Sequence, residues 1–195
     1  MRLLVIVDTY VPARISGALQ MRDLVREMLA QGHRPAVVVP APELDAPWRL
    51  EDIDGAEVLR VKTLQAKDVN KFQRALAEWR LPYALLRGLR RSPLAGTRWD
   101  GLVWYSPTIF LGPMVRALKR ECGCRGYLIL RDLFPDWAVD AGILRKGLVY
   151  RAFKHVERGQ YAAADVIGVQ TAANIPRVAA DSPPGASIET LHNWL

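Results

Sequence analysis

A chain of 195 residues, half of them apolar and a quarter charged, has the composition of one substantial globular domain. That balance excludes a disordered chain, and no apolar run approaches the roughly 20 residues that span a bilayer. A net charge of +7 favours anionic partners: nucleic acid, nucleotide phosphates or an acidic membrane surface.

Residues 3–7 are a continuous apolar, β-branched run, as in a parallel strand covered on both faces. The run is too short for a signal peptide, and Asp8 and a proline-containing loop stand where a small-residue cleavage site would be. A cytoplasmic location is therefore expected. A helix follows with Ser16 as its expected N-cap, carrying Met21, Leu24, Val25, Met28 and Leu29 on one face and ending at Gly32. Residues 36–39 form the next strand, so the opening is a βαβ unit with a right-handed crossover.

Further strands are expected at 57–61, 102–105, 127–130, 166–169 and 188–191, with helices over 108–121 and 147–163. Strands alternating with helices predict an α/β fold: a Rossmann-like, doubly wound, mostly parallel sheet of about seven strands with helices on both faces. The sequence ends at Leu195 just as a strand finishes, which reads as a cut at a domain boundary. Cys122 and Cys124 flank Gly123 without a second ligand pair, so they read as free thiols in a reducing compartment. His33, His155 and His192 are scattered and fit turn, helix-surface and strand-end roles.

Two rim segments carry candidate chemistry. In the loop 8–18, Gly17 lets a ligand approach backbone N–H groups at the positive end of the first helix, or else only permits tight helix–strand packing. The dinucleotide signature GxGxxG and the phosphate loop GxxxxGK[ST] are both absent, which argues against a dehydrogenase or a nucleoside-triphosphatase. In the segment 131–142, Arg131 and Asp132 emerge at the same rim and can orient a hydroxyl or bind an anion. Asp136 and Asp140 are spaced for one helical face. The alternative is an Arg131–Asp132 structural pair with Asp136 capping a short helix.

The stretch 67–98 holds Lys67, Lys71, Arg74, Arg80, Arg87, Arg90, Arg91 and Arg98 against only Asp68 and Glu78. Phe72, Leu76, Trp79, Tyr83 and Leu86 are interleaved at spacings of three and four. This predicts a basic amphipathic helix, or a pair broken near Pro82, suited to an anionic membrane. The expected membrane contacts are Lys71, Arg74, Trp79, Arg80, Arg87, Arg90 and Arg91; the alternative is a helix covering the sheet with its arginines solvated. No nucleic-acid recognition motif accompanies the charge, and no nucleic-acid partner is expected.

Taken in order, the Gly17 loop, Gly32-His33 before residues 36–39, Asp132-Leu133-Phe134-Pro135 after the fifth strand, Thr171-Ala172 after the sixth and Asn193-Trp194 at the end resemble one known arrangement. It is the N-terminal domain of GT-B-fold glycosyltransferases, specifically the family 4 enzymes that build bacterial surface polysaccharides. Where many relatives carry a histidine at the end of strand five, this sequence has Arg131, and it has one loop glycine where two are common. The resemblance implies that residues 1–195 are the acceptor-side half of the enzyme, inactive without a donor-binding C-terminal domain that lies outside this chain. It implies transfer, with retention and without metal or cofactor, from a nucleotide-diphosphate-sugar to a lipid-linked (polyprenyl-diphosphate) saccharide in lipopolysaccharide, O-antigen or capsule synthesis. The protein would then sit on the inner face of the cytoplasmic membrane. Ser16 and Gly17 would meet the donor phosphates, Arg131 and Asp132 would be catalytic, and Tyr10, Arg14, Asp136 and Thr171 would line the acceptor cleft. The alternative from another class is a non-catalytic membrane-anchoring or acceptor-binding subunit that recruits a separate donor-binding subunit.

Overall fold

A computed structural model describes residues 1–66 and 68–194. Eight strands form one sheet: β1 (Arg2–Ile6), β2 (Arg34–Pro40), β3 (Trp48–Ile53), β4 (Ala56–Val61), β5 (Gly101–Ser106), β6 (Arg125–Leu130), β7 (Val166–Val169) and β8 (Ser187–Thr190). Their order is β3-β4-β2-β1-β5-β6-β7-β8, and every neighbouring pair is parallel except the β3–β4 hairpin. Among the described residues six α-helices and a short 3-10 helix (Ala172–Asn174) accompany it: α1 (Ser16–Ala30), α2 (Lys71–Arg91), α3 (Gly112–Cys122), α4 (Asp136–Asp140), α5 (Leu148–Tyr161) and α6 (Ile175–Asp181). No helix among the described residues is long and apolar enough to cross a membrane.

Period-two alternation in the strands divides the core into two layers. Leu4 and Ile6 of β1 face one side with Leu85 and Leu89 of α2, Met114 and Leu118 of α3 and Tyr161 of α5. Val5 faces the other side with Met21 and Val25 of α1. The doubly wound class read from the sequence is therefore the observed one.

Three local readings are corrected. The sheet has an eighth strand, β3, whose sequence Trp-Arg-Leu-Glu-Asp-Ile is too polar to stand out as a strand because it is a half-exposed edge. Its turn, Asp54-Gly55, takes the left-handed region at both positions (φ 55° and 86°), the geometry of a tight hairpin that glycine and aspartate tolerate best. Ser16 does not cap α1: the N-cap position is Ile15, without a side-chain cap, and Ser16 already lies in the first turn. Finally, α2 does not break at Pro82 but runs through it. Its start is capped by Asn70, whose side chain accepts from the Gln73 N–H at 2.9 Å, and burial of Leu85 and Leu89 holds the far half on the sheet.

Parallel strands put all their carboxyl ends on one rim. The chain leaves β1 toward β2 on one side and returns to β5 on the other, so the switch point lies between β1 and β5.

Candidate functional site

The loops that follow β1, β4 and β5 enclose a cleft of about 950 Å³ at that switch point, roofed by the first turns of α2. Asp8, Tyr10, Glu43, Arg60, Glu78 and Thr108 are among its walls. The β1 loop is held in place by Arg60, which donates to the Val11 carbonyl at 2.6 Å and pairs with Glu51 at 2.8 Å. Tyr10 is buried beneath the loop, and its phenol is pushed up to about 12, chiefly by that burial and then by Asp54. Of the residues the sequence assigned to the acceptor, Tyr10 is the one that lines this cleft.

Beside the cleft, a second group gathers around Tyr105 of β5. Gly17 stands directly against the Tyr105 ring: a Cβ there would lie 3.1–3.3 Å from three ring and hydroxyl atoms. Gly17 thus permits close packing of α1 on the sheet. Burial raises the Tyr105 phenol, and Arg131, Asp8 and Asp132 all act on it electrostatically. Tyr105 is the residue that brings the two candidate segments together, and nothing in its sequence context marks it.

Arg131 is 8% exposed at the end of β6. Its Nη1 donates to the Leu191 carbonyl at 3.0 Å, and its guanidinium lies 5.2 Å from the centre of the Trp194 ring. Its Nε and Nη2 are buried and have no hydrogen-bond partner among the described residues. Orphaned buried donors of this kind are costly and rare in native interiors. Trp194 in turn is clamped to α1: its Nε1 donates to the Gln20 carbonyl (3.3 Å), and Gln20 Nε2 donates to the Trp194 carbonyl (3.1 Å). Asp132 does not pair with Arg131; it is an exposed residue whose carboxyl is nonetheless raised by desolvation among the rim loops. Arg14, Ser16 and Thr171 are exposed at the same rim.

Asp136 is built into a buried polar network instead of the cleft. It accepts from Tyr150 Oη (2.7 Å), Lys154 Nζ (3.1 Å) and Arg177 Nε (3.1 Å). Arg177 also reaches Asp140 at 3.4 Å, so the two aspartates share a face as their spacing implies. Lys154 further contacts Glu157 and, at 2.5 Å, Asp181. Asp136, Glu157 and Asp181 converge closely enough to hold a metal ion, but the Lys154 ammonium stands at their centre. Burial works to raise the Asp136 carboxyl, and the Tyr150 and Lys154 hydrogen bonds outweigh it and hold it below the usual range. For Glu157 burial prevails and the carboxyl is raised. The network fastens α4, and with it the 131–135 loop, onto α5 and α6.

The structure also sorts the basic residues of α2. Arg74 pairs with Glu78 at 2.8 Å and lines the cleft; Arg90 pairs with Glu121 on α3. Arg80, Arg87 and Arg91 instead line a separate groove of about 740 Å³ between α2 and the β3–β4 hairpin, with Trp48, Trp79 and Tyr83. Lys67 and the side chain of Lys71 lie outside the described residues.

No protein-family model and no curated protein matches this chain. Solved structures do. A trehalose-6-phosphate structure from E. coli bound with UDP-2-fluoro glucose aligns over 92% of this chain and 42% of its own, with TM-score 0.60 and 14% identity. The apo UGT2 of Phytolacca americana aligns over 99% and 52%, with TM-score 0.61 and 13% identity. A sucrose-phosphate synthase chain from Thermosynechococcus elongatus aligns over 98% and 89%, with TM-score 0.56 and 9% identity. The chain thus spans about half the length of the first two. At these identities the likeness is one of fold: this is a Rossmann-like α/β domain with the architecture of one half of a GT-B glycosyltransferase.

Proposed function

We propose that the chain is the acceptor-side domain of a nucleotide-sugar-dependent glycosyltransferase. The observation that carries this reading is the switch-point cleft, opening on the rim where doubly wound sheets bind ligands, in a fold shared with one half of sugar-nucleotide transferases. A saccharide acceptor occupies that cleft, with Asp8, Tyr10 and Glu78 offering partners for its hydroxyls. The donor, a nucleotide-diphosphate-sugar, is held mainly by a second domain and reaches this one at the rim. There the loop at Ser16 and Gly17 supplies backbone N–H groups at the start of α1, and a charge at a helix N-terminus gains roughly 0.3–1 kcal/mol when exposed.

Arg131 is the residue for developing negative charge. Its two unused N–H donors are already desolvated, so an oxyanion brought to them meets a fixed, dry partner and not a hydrated one. The Trp194 ring lies beside the same guanidinium, 5.2 Å from its carbon. Asp132, with its raised carboxyl at the same rim, is placed to exchange a proton with an acceptor hydroxyl. Retention of configuration is carried over from the family 4 resemblance, and the transfer uses no metal or cofactor. The acceptor is a lipid-linked saccharide, and the domain works against the inner membrane surface through α2.

Calorimetric titration with UDP, GDP and their sugar conjugates tests this, using the chain alone and the chain extended by the downstream coding region. Binding that is absent or weak in the chain alone and restored by the extension is expected. Tight binding to the isolated chain would mean that the nucleotide site is complete here, and the acceptor-half reading would have to go.

A further inference from the structure

We propose that the groove between α2 and the β3–β4 hairpin is a built site for the phosphate headgroup of an anionic membrane lipid. The inference rests on the membrane side of the reading above and adds a specific place and chemistry to it.

The charges are the first argument. Arg80, Arg87 and Arg91 recur at spacings of seven and four and fall on one stripe of α2. Among the described residues none of the three makes an ion pair or a side-chain hydrogen bond, while Arg74 and Arg90 on the same helix are each neutralised by a glutamate. Lys62 adds a fourth cation and reaches only the Asp45 backbone carbonyl, at 3.4 Å. Asp45 is the sole carboxylate in the lining. Three free guanidinium groups converging on one concavity suit the several oxygens of a phosphate.

The rings are the second argument. Trp79 and Tyr83 lie one turn apart, with ring centroids 5.9 Å apart and planes tilted by 58°, and remain 55% and 52% exposed. Trp48, from the edge strand, lines the same groove. Phe72, on the same helix, is 81% exposed. A soluble phosphate would use the arginines and leave these rings in water. A lipid uses both, because amphipathic rings settle at headgroup depth with basic residues beside them.

The depth is the third. Gly88 lets α2 descend onto β4: a Cβ at that position would lie 2.4 and 2.7 Å from the two Val61 methyls. Beyond the groove, Lys62 lines its wall and the next residue, Thr63, lines the switch-point cleft. Along α2, Tyr83 and Arg80 face the groove while Glu78 and Leu81 face the cleft. A lipid seated by its phosphate in the groove therefore presents whatever its headgroup carries to the cleft.

The test is flotation of the chain with phosphatidylcholine vesicles and with vesicles in which a third of the lipid is phosphatidylglycerol. Arg87→Gln and Arg91→Gln are compared with Arg74→Gln and Arg90→Gln, which remove the same charge from the same helix. Thermal unfolding confirms that all four fold. Each groove variant is expected to weaken partitioning to the acidic vesicles about fivefold, from roughly 1 kcal/mol per basic residue near such a surface, and each control variant less than about twofold. Equal losses in all four would overturn the built site and leave a diffuse basic surface. Calorimetric binding of inorganic phosphate that Arg87→Gln abolishes, with no preference between the two vesicles, would overturn the lipid in favour of a soluble phosphate. No sugar donor enters the assay, so a negative result leaves the glycosyltransferase reading standing.

Discussion

Replacing Lys154 by methionine removes the cation at the centre of Asp136, Glu157 and Asp181 while keeping the stem of the side chain. The three carboxylates it leaves are 9%, 2% and 13% exposed. Breaking a buried ion pair by deleting one partner costs about 3–5 kcal/mol, because the remaining charge stays desolvated. Arg177 still holds Asp136 Oδ2, the oxygen it shares with Lys154, and Arg158 still holds Asp181 Oδ1, which puts the expected loss at the lower end, about 3 kcal/mol. For a domain stable by about 5–15 kcal/mol this is a large fraction. Urea unfolding followed by tryptophan fluorescence reads it as a lower midpoint at an unchanged slope.

The sign of the pH dependence provides an independent check. In the parent chain Asp136 is held below its ordinary range, so its contribution is full above the unfolded carboxylate pKa and is lost as pH falls through the folded one. In the variant Asp136 and Glu157 both lose the ammonium and both rise. Their protonation then relieves the buried charge, so the variant gains stability as pH falls through their raised pKa values, above the ordinary carboxylate range, and its deficit narrows. A variant that unfolds at the parent midpoint, or whose deficit widens on acidification, would refute a desolvated network.

Gly88→Ala forces a methyl into the Val61 side chain and lifts α2 from β4, at a cost of about 1–3 kcal/mol in thermal or urea unfolding. Adding Val61→Ala restores part of it. Arg131→Met trades one hydrogen bond for removal of two unmet buried donors, so unfolding free energy shifts by less than about 1 kcal/mol, while sugar transfer by the downstream-extended protein drops steeply. Equal damage to stability and transfer would make Arg131 a structural residue. Five of the six tyrosines are held above the ordinary phenol range, mostly by burial: Tyr10, Tyr105, Tyr127, Tyr150 and Tyr161. In Tyr150 the hydrogen bond to Asp136 leads. Alkaline titration of the folded chain at the phenolate band should therefore lag well behind that of the urea-unfolded chain; coincident curves would contradict the packing described.

The sequence by itself determined the doubly wound sheet, seven of its eight strands and the rim at which the loops after its parallel strands gather. Apolar runs bounded by loops are local signals, and parallel strands place their carboxyl ends together whatever the details of packing. It also marked the helix over 71–91 as basic with aromatic residues interleaved, because charge and aromatic spacing are written along the sequence. The edge strand β3 escaped because its alternation is short, Trp48 and Leu50 between Arg49 and Glu51, and Asp52 breaks it, although Asp54-Gly55 was the turn signal that could have found it.

Only the tertiary structure decided which polar residues face a ligand and which face each other. Asp136 and Arg131 are five residues apart, yet one is neutralised by Tyr150, Lys154 and Arg177, from elements 14 to 41 residues away, and the other keeps two donors free. The same holds for α2, where Arg74 and Arg90 find glutamates and Arg80, Arg87 and Arg91 do not. Burial and pairing are set by distances in space between segments remote in sequence, and electrostatic energies depend on those distances and on the water excluded between them. No local pattern encodes either.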